Sequence, residues 1–279
     1  MDDRTLQNWV GRSETADDVI DARQADLMAR TMDRPAGLRD GAPLPPLWHW
    51  IYFAEAAPTA ELAPDGHAPL GAFMPPVDLK RRMWAGGRVT FHQPLVIGQT
   101  ATRTSTVKSI TPKQGRSGRM CFVTLQHTVS SAGRLCISEE RDIVYLEPRN
   151  PADAAKAGPP APQGAQFGRS VSPNSPWLFR YSALTFNGHR IHYDADFCRD
   201  VEGYPDLVVH GPLLATLLAG LAEENLPGGG LKTFAYRAVS PVFNGADFSI
   251  HGRAGADRGA AWALTSAGGL AMSAEFTNG

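Results

Sequence analysis

The chain has 279 residues, 43% of them hydrophobic, which is enough to bury one large core or two modest cores, so two domains of about 130 residues each are expected. Its 27 basic and 28 acidic residues balance, and no basic run alternates with aromatic residues, so nothing supports a nucleic-acid partner or a membrane-surface role. The polar start, the short apolar runs and three cysteines without CxxC spacing argue against secretion, a membrane span, a disulfide framework and a zinc site. A reducing cytoplasm is the expected location.

The first half is predicted to consist mainly of strands. Apolar and polar residues alternate over 100–110 and 120–129, which is the period-2 pattern of a half-buried strand. Upstream, the aromatic run Leu47-Trp-His-Trp-Ile-Tyr-Phe53 predicts a buried strand or a short helix. The best candidate in this half for a helix enclosed by a sheet is 22–32.

A segment rich in Pro, Ala and Gly, 148–174, has no periodicity that could bury one face and is interpreted as a linker. It separates an N-terminal half, 1–147, from a C-terminal half, 175–279. Each half contains a Pro-x-x-x-Gly segment: Pro94 and Gly98 in the first, and Pro241 and Gly245 in the second, 147 residues later. Because Pro leaves a strand ladder and Gly permits a turn, each segment predicts a corner between two strands. Two copies predict two similar halves.

The second half contains the strongest helical pattern. Leucines recur at helical spacing on one face of 207–226, at positions Leu213, Leu214, Leu217, Leu218 and Leu221. Strand-like alternation follows over Phe248–Ala254 and over 260–276.

Residues 180–212 contain most of the residues suited to chemistry. Residues 180–194 read Arg-Tyr-Ser-Ala-Leu-Thr-Phe-Asn-Gly-His-Arg-Ile-His-Tyr-Asp, and a His-Gly-Pro triplet begins at His210. The stretch resembles the signature of the MaoC-like, hot-dog-fold enoyl-CoA hydratases of the second type: tyrosine, three residues, Ser-Gly-Asp-x-Asn-Pro-Ile-His-x-Asp, and later a His-Gly pair that opens a helix. The positions that match this pattern are Tyr181, Ile191, His192 and Asp194.

The departures from the family pattern include its catalytic position. Asn187 stands where the family has its catalytic aspartate, and His189-Arg190 replace its Asn-Pro. The stretch is similar to the Thr-Phe-Asn-x-His-Arg-Ile-His-Tyr-Asp run of one subgroup of the family. That subgroup contains mesaconyl-CoA and itaconyl-CoA hydratases and fungal mitochondrial hydroxyacyl-thioester dehydratases. The first half also resembles the degenerate half of this subgroup, and it lacks the catalytic motif. The resemblance therefore places the chemistry in the second half alone.

The resemblance implies an α+β double hot dog, in which two antiparallel sheets each wrap around a central helix. It also implies reversible hydration of an α,β-unsaturated acyl-CoA, most readily a short branched or dicarboxylic one such as mesaconyl- or itaconyl-CoA. No metal or redox cofactor is expected, and a homodimer is compatible with the family. Two rivals stay open: a hot-dog acyl-CoA thioesterase and a non-catalytic acyl-CoA-binding module. The acyl group, the choice between CoA and an acyl carrier protein, and the oligomeric state are not specified by the sequence.

The resemblance assigns catalytic roles to Asn187, His192 and Gly211. His192 occupies the family's histidine position, and its ordinary pKa suits proton transfer in either direction. Asn187 cannot accept a proton, so it either orients water or only caps the adjoining turn. Gly211 precedes Pro212 at a helix start, where its N–H is expected to serve a developing oxyanion. Which group acts as the base is left open.

Four further residues receive supporting predictions. Tyr181 is assigned to substrate binding, with a core position as the alternative. His210 is also assigned to substrate binding, with a place behind the residues that contact substrate as its alternative. Arg190 is a candidate clamp for a free carboxylate on the acyl group, or else an exposed partner of Asp194 or Asp196. Asp194 is expected to support the site rather than to react.

Overall fold

A computed structural model describes residues 3–115, 118–148, 158–226 and 230–279. Within these ranges ten strands form one continuous antiparallel sheet. The first half contributes β1 (Ser13–Val19), β2 (Arg81–Phe91), β3 (Thr100–Gly115), β4 (Gly118–Ser131) and β5 (Arg134–Leu146). The second contributes β6 (Phe167–Val171), β7 (Leu231–Ala238), β8 (Phe248–Ala254), β9 (Arg258–Leu264) and β10 (Leu270–Asn278).

The strand order shows that the two halves repeat one plan. Across the sheet it is β1-β3-β4-β5-β2-β7-β10-β9-β8-β6, so the second half mirrors the first around a seam between β2 and β7. Five residue pairs form that seam, from Gly86 opposite Arg237 to Thr90 opposite Thr233. The two halves are therefore joined by backbone hydrogen bonds as well as by side-chain packing.

The two Pro-x-x-x-Gly segments occupy equivalent places in the two halves. Gly98 has a φ of 90° and Gly245 a φ of 82°, backbone conformations that glycine adopts without a steric penalty. The middle residues of the segments form equivalent isolated bridges, Val96 with Pro43 and Phe243 with Val208. The predicted repeat is confirmed.

Five α-helices occur in the described ranges: α1 (Asp3–Gln7), α2 (Ala22–Thr31), α3 (Ser175–Leu184), α4 (Ala195–Asp200) and α5 (Gly211–Asn225). The aromatic run near residue 50 forms a short 3-10 helix, Trp48–Ile51, which was one of its two predicted forms. Two further 3-10 turns span Thr59–Glu61 and Arg190–His192.

Helix α5 is the central helix of the second half. It packs against β7, β8, β9 and β10, and its first twelve residues include ten that are buried, so it is apolar around its whole circumference. The helix begins at Gly211, where the His-Gly-Pro triplet predicts a helix start, so the upstream end of the leucine-periodic segment 207–226 is not helical. Residues 207–210 are instead extended, because Val208 bridges to Phe243 and Val209 donates a backbone hydrogen bond to the Val242 carbonyl.

The prediction that 22–32 forms the enclosed helix of the first half is corrected. Helix α2 does form, but it packs against α3 and the Trp48–Ile51 turn. Both helices follow the edge strand of their half, and an Asx side chain caps each, Asp21 for α2 and Asn174 for α3. Residues 64–78, at the positions that α5 occupies 147 residues later, contain only turns and bends. The first half therefore has no counterpart of α5.

Two predicted boundaries are also corrected. The segment 260–276 is two strands, β9 and β10, which pair with each other across the turn between them. The predicted linker 148–174 contains β6, which pairs with β8, so its last part belongs to the sheet of the second half. Residues 149–157 of that segment lie outside the described residues.

The architecture is an α+β double hot dog with one central helix. Its larger hydrophobic core joins α5 to α2, α3 and both halves of the sheet, and a smaller core lies within the first half alone. Among the described residues, no helix is long and apolar enough to cross a membrane.

Candidate active site

The predicted catalytic residues lie around one cavity. It has a volume of about 630 Å³, is placed at the N-terminal end of α5, and is lined by Asn187, His192 and Gly211. A chamber of about 300 Å³ adjoins it and shares part of its wall, including Arg82, Trp84, Arg141, Asn187 and Pro212. A groove of about 830 Å³ on β7–β10 is larger, but it contains none of the predicted residues.

His192 is a buried residue of the cavity wall. Its Nδ1 lies 2.7 Å from the carbonyl oxygen of Val208. Because a carbonyl can only accept, this contact places the ring proton on Nδ1 and leaves Nε2 unprotonated. Burial, opposed by that hydrogen bond, lowers the pKa of His192 to about 4. His192 is therefore a neutral imidazole at pH 7, which is the protonation state of a base.

His210 lies behind His192 instead of lining the cavity. The two rings stack with centroids 3.6 Å apart and planes 18° from parallel, and His210 Nε2 is 2.8 Å from Ser182 Oγ. His210 is completely buried, and it lines neither chamber. Its predicted substrate-binding role is corrected: the ring holds His192 in orientation by stacking.

Gly211 opens α5, as predicted, with Pro212 beside it in the first turn. A first-turn N–H has no acceptor within its own helix, and the fifteen-residue helix places the positive end of its dipole there. A Cβ added to Gly211 would lie 3.6 Å from the Trp84 Cβ, an ordinary contact. The glycine is therefore not required by steric fit, and its place in the cavity wall at the start of α5 is the feature relevant to function.

Asn187 both caps a turn and lines the cavity. The backbone N–H of His189 donates to its Oδ1 at 3.0 Å. Because that N–H can only donate, the contact identifies the oxygen and leaves the Nδ2 amide group as the remaining polar end. Asn187 borders both chambers. The side chain thus offers the cavity a donor.

Arg190 does not reach the cavity. Its Nη2 donates to Asp194 Oδ2 at 2.7 Å, and its Nη1 donates to the carbonyl oxygen of Pro64 at 3.0 Å. The carboxylate-clamp prediction is corrected in favour of the Asp194 pair that was its alternative. Asp194 Oδ1 also accepts from the Phe197 N–H as the N-cap of α4, and this bond and Arg190 lower the pKa of Asp194. Asp194 supports the fold of the motif, as expected.

Tyr181 lies in the wall of the smaller chamber. The ring is buried and meets His210 edge to face, with centroids 4.9 Å apart. Burial raises the pKa of the phenol above its ordinary value, so it is un-ionised at pH 7. Its contact with substrate stays a prediction.

The sequence-based assignment missed a polar cluster contributed by the loop before β2. His67 Nδ1 donates to Asp65 Oδ2 at 2.8 Å. The His67 ring centroid is 4.1 Å from that of His189, which is 5.5 Å from that of His192. Ligand atoms of Asp65, His67 and His189 lie within 4.8 Å of one another, a grouping that could also hold a metal ion. The only signal in the sequence was an Asp-x-His pair in a loop without periodicity.

Two arginines of the first half also line both chambers, Arg82 on β2 and Arg141 on β5. Arg141 lies over the Trp84 ring at 4.4 Å and donates to Glu139 Oε1 at 2.9 Å. Glu139 is buried, which would raise its pKa, but Arg141 and His49 hold that pKa well below its usual range. The charge of Arg141 is therefore matched by Glu139.

Arg82 differs from Arg141 in lacking a carboxylate partner. No ion pair with Arg82 is formed by the described residues, whereas its neighbour Arg81 pairs with Glu202 at 3.2 Å on the other face of the strand. The charge of Arg82 acts on the cluster, since it lowers the pKa of His67 and of His189 after the larger effect of burial. The cavity thus contains an unmatched cation close to its imidazoles.

The site offers a neutral imidazole, a helix-start N–H, an amide donor and an unmatched guanidinium around one cavity. These groups can take a proton from water, stabilise an oxyanion and bind an anionic group.

Comparisons with known proteins agree with this arrangement. The family model described as hydroxyacyl-thioester dehydratase type 2 matches residues 47–244. The chain is 45% identical over 251 residues to a mesaconyl-C(4)-CoA hydratase of Chloroflexus aurantiacus, covering 90% of this chain and 89% of that protein. It is 30% identical over 226 residues to the mitochondrial hydroxyacyl-thioester dehydratase type 2 of Schizosaccharomyces pombe, covering 72% and 74%. The chain belongs to the hydroxyacyl-thioester dehydratase type 2 family of MaoC-like hot-dog enzymes.

Solved structures show the same fold. A MaoC-like dehydratase matches with a TM-score of 0.73 at 16% identity, over 98% of this chain and 99% of that chain. A Mycobacterium tuberculosis protein described as having a double hotdog fold matches with a TM-score of 0.56 at 15% identity, over 96% of each chain. The predicted family, double hot-dog fold and hydro-lyase class are confirmed.

Proposed function

We propose that this hydro-lyase reversibly adds water to an α,β-unsaturated CoA thioester whose acyl group carries a free carboxylate, with mesaconyl-C(4)-CoA as the leading substrate. The relative that is 45% identical acts, by its name, on that compound. The structural observation that carries the proposal is Arg82, a guanidinium in the wall of the catalytic cavity that has no carboxylate partner among the described residues.

His192 and Gly211 account for the addition of water. In the hydration direction the water oxygen bonds to the β-carbon while Nε2 of neutral His192 takes one water proton. The electrons of the double bond move toward the thioester oxygen, which the Gly211 N–H stabilises. When the electrons return from the thioester oxygen to the α-carbon, the His192 imidazolium gives its proton to that carbon. His192 is neutral at the start and at the end, and the proposed reaction uses no metal or redox cofactor.

Arg82 supports the choice of a dicarboxylic acyl group. The free carboxylate of a mesaconyl group lies within a few bonds of the reacting double bond, so its binding group must lie close to the catalytic histidine. Arg82 lines the same cavity as His192, and its charge acts on His67 and His189, the imidazoles beside that histidine. A planar guanidinium can hold a carboxylate with two parallel hydrogen bonds. The phosphates of CoA lie at the far end of a long pantetheine arm and would not reach this position.

The experiment compares mesaconyl-C(4)-CoA with crotonyl-CoA as substrates for wild type and Arg82→Met. Loss of the clamp is expected to lower kcat/KM for the dicarboxylic substrate by about 10- to 100-fold, the value of a charge-assisted hydrogen bond, with little change for crotonyl-CoA. Arg88→Met is the matched control. Arg88 is on the same strand, but its ion pairs with Glu140 and Asp142 lie outside the cavity.

Equal losses of kcat/KM on both substrates would refute the hypothesis that Arg82 binds the free carboxylate. Release of free CoA without hydration would instead indicate a thioesterase. Tight binding of every enoyl-CoA without turnover would indicate a binding module.

A further inference from the structure

We infer that His67 is a second catalytic residue. It accepts a hydrogen bond from the second O–H of the water molecule that His192 deprotonates, and Asp65 is the residue that positions it. This inference rests on the proposed function. It assigns to the first half the task of the carboxylate that Asn187 replaces.

The site needs a second acceptor because Asn187 does not supply one. In the resembled family, an aspartate and a histidine hold the water together. Here Asn187 has no carboxylate to share the water: its single side-chain oxygen already accepts from the His189 N–H at 3.0 Å, and its other polar end is an amide donor. Glu55, a carboxylate of the cavity wall, is ion-paired with Arg103 and is largely exposed. Among the carboxylates and imidazoles that line the cavity, His67 and His189 are then the remaining acceptors beside His192.

His67 has the tautomer that this task requires. A carboxylate only accepts, so the 2.8 Å contact with Asp65 Oδ2 fixes the proton of His67 on Nδ1 and leaves Nε2 as an acceptor. The His67 N–H also donates to Asp65 Oδ1 at 3.0 Å, which fixes both residues in one turn. His67 lines the same cavity as His192. The His189 ring contacts both of theirs, but no carboxylate of the described residues forms a hydrogen bond that fixes its tautomer.

The loop that carries this pair is fastened to the catalytic motif. The backbone N–H of Arg190 donates to the Asp65 carbonyl at 2.9 Å, and its Nη1 donates to the Pro64 carbonyl at 3.0 Å. Between these bonds Gly66, with a φ of +87°, packs so closely on Gly188 that a Cβ would collide with the Gly188 carbonyl oxygen. This backbone-to-backbone contact holds the His67 turn against the segment that contains Asn187 and His192.

The proton count is unchanged by the added residue. One water O–H bond breaks, its proton passes to His192 and then to the α-carbon, and the water oxygen forms the C–O bond. The second water hydrogen stays on that oxygen as the hydroxyl of the product, hydrogen-bonded to His67 Nε2. This acceptor raises the nucleophilicity of the water and orients its lone pair toward the β-carbon.

The experiment measures kcat and KM for hydration of the best enoyl-CoA substrate by four variants. His67→Ala is expected to lower kcat by about 30- to 100-fold. Adding Asn187→Asp to it should restore kcat by at least about 10-fold, because a carboxylate at 187 can accept from water with its second oxygen. Asp65→Asn should lower kcat by about 10-fold with KM unchanged, since the tautomer of His67 is no longer fixed. The control, His92→Ala, removes an exposed first-half histidine bonded to Ser138 and should stay within about twofold of wild type.

Three results would overturn the inference. The first is a His67→Ala protein that is folded by circular dichroism and keeps more than a third of wild-type kcat. The second is a double variant that is no faster than His67→Ala. Loss of wild-type activity on chelation, restored by a divalent metal, would show that Asp65, His67 and His189 are ligands instead. A wild type that hydrates no enoyl-CoA refutes the proposed function itself, whereas an active wild type with an active His67→Ala refutes only the role of His67.

Discussion

Lowering the pH from 7 to 5 is expected to destabilise the fold, because several histidines are held neutral in the native state. The pKa values of His127, His189 and His192 are lowered to about 3, about 2 and about 4, with burial as the largest cause for each. In the unfolded chain a histidine titrates near 6.5. Below that pH the unfolded state therefore binds protons that the native state does not bind, and the free energy of unfolding decreases as the pH falls.

The size of the effect follows from the distance between the unfolded pKa and the final pH. From about 6.5 to pH 5, each of these histidines removes about 2 kcal/mol, so the three remove about 6 kcal/mol at most. Carboxylates whose pKa is lowered lose their contribution only at lower pH. Glu14 acts in the opposite direction, since burial and Glu55 raise its pKa to about 7 and its folded form gains a proton in this range. A net loss of about 3 kcal/mol is expected, a large part of the stability of a typical domain.

The assay is urea unfolding at pH 7 and pH 5 at one ionic strength. His127→Gln removes one of the three histidines and should reduce the difference between the two pH values by about 2 kcal/mol. His92→Ala, at an exposed position, should leave that difference unchanged. A free energy of unfolding that is equal or higher at pH 5 would refute the neutral buried histidines.

Three substitutions test other parts of the structure. His192→Ala is expected to lower turnover by about two to four orders of magnitude with the fold retained, and initial-rate assays that find more than a tenth of wild-type activity would exclude its catalytic role. Glu139→Gln should cost about 3–5 kcal/mol in urea unfolding, because it leaves the partly buried Arg141 without its counter-charge; a cost below 1 kcal/mol would show that the pair is dispensable. Leu218→Ala, in the fully buried centre of α5, should cost about 2–5 kcal/mol by the same measurement, and a neutral result would contradict the packing around that helix.

Local patterns in the sequence predicted the parts of the fold that local chemistry determines. The leucine spacing identified α5, alternation identified β3, β4 and β8, and the Pro-x-x-x-Gly pairs identified the repeat. Residues 207–210, at the upstream end of the leucine-periodic segment, are not helical because Val208 and Val209 are held in extended form by residues 242 and 243, a long-range interaction that helical periodicity does not report. Strand β6 was missed because β8, its strand partner within the described residues, lies about 80 residues away and its own sequence resembles a linker.

The residues of the candidate site also fall into two groups, those that a local motif predicts and those that only the fold brings together. His192, Asn187 and Gly211 were found because they lie in one contiguous motif. Asp65, His67 and Arg82 come from another half of the chain, and only the folded structure brings them to the cavity. Arg190 was misassigned for the same reason, because the Pro64 carbonyl that it binds is 126 residues away.

The absence of a second α5 has a consequence for stoichiometry. Two similar halves would normally provide two helix starts and two equivalent cavities, but residues 64–78 form turns where the first half would need its own central helix. That irregular segment instead extends into the cavity of its neighbour and supplies part of its wall. The two halves thus behave as unlike subunits joined in one polypeptide. Within the described residues, the first half has no catalytic cavity of its own and contributes residues to the cavity of the second. Titration with a non-reactive acyl-CoA should therefore saturate at one molecule per chain.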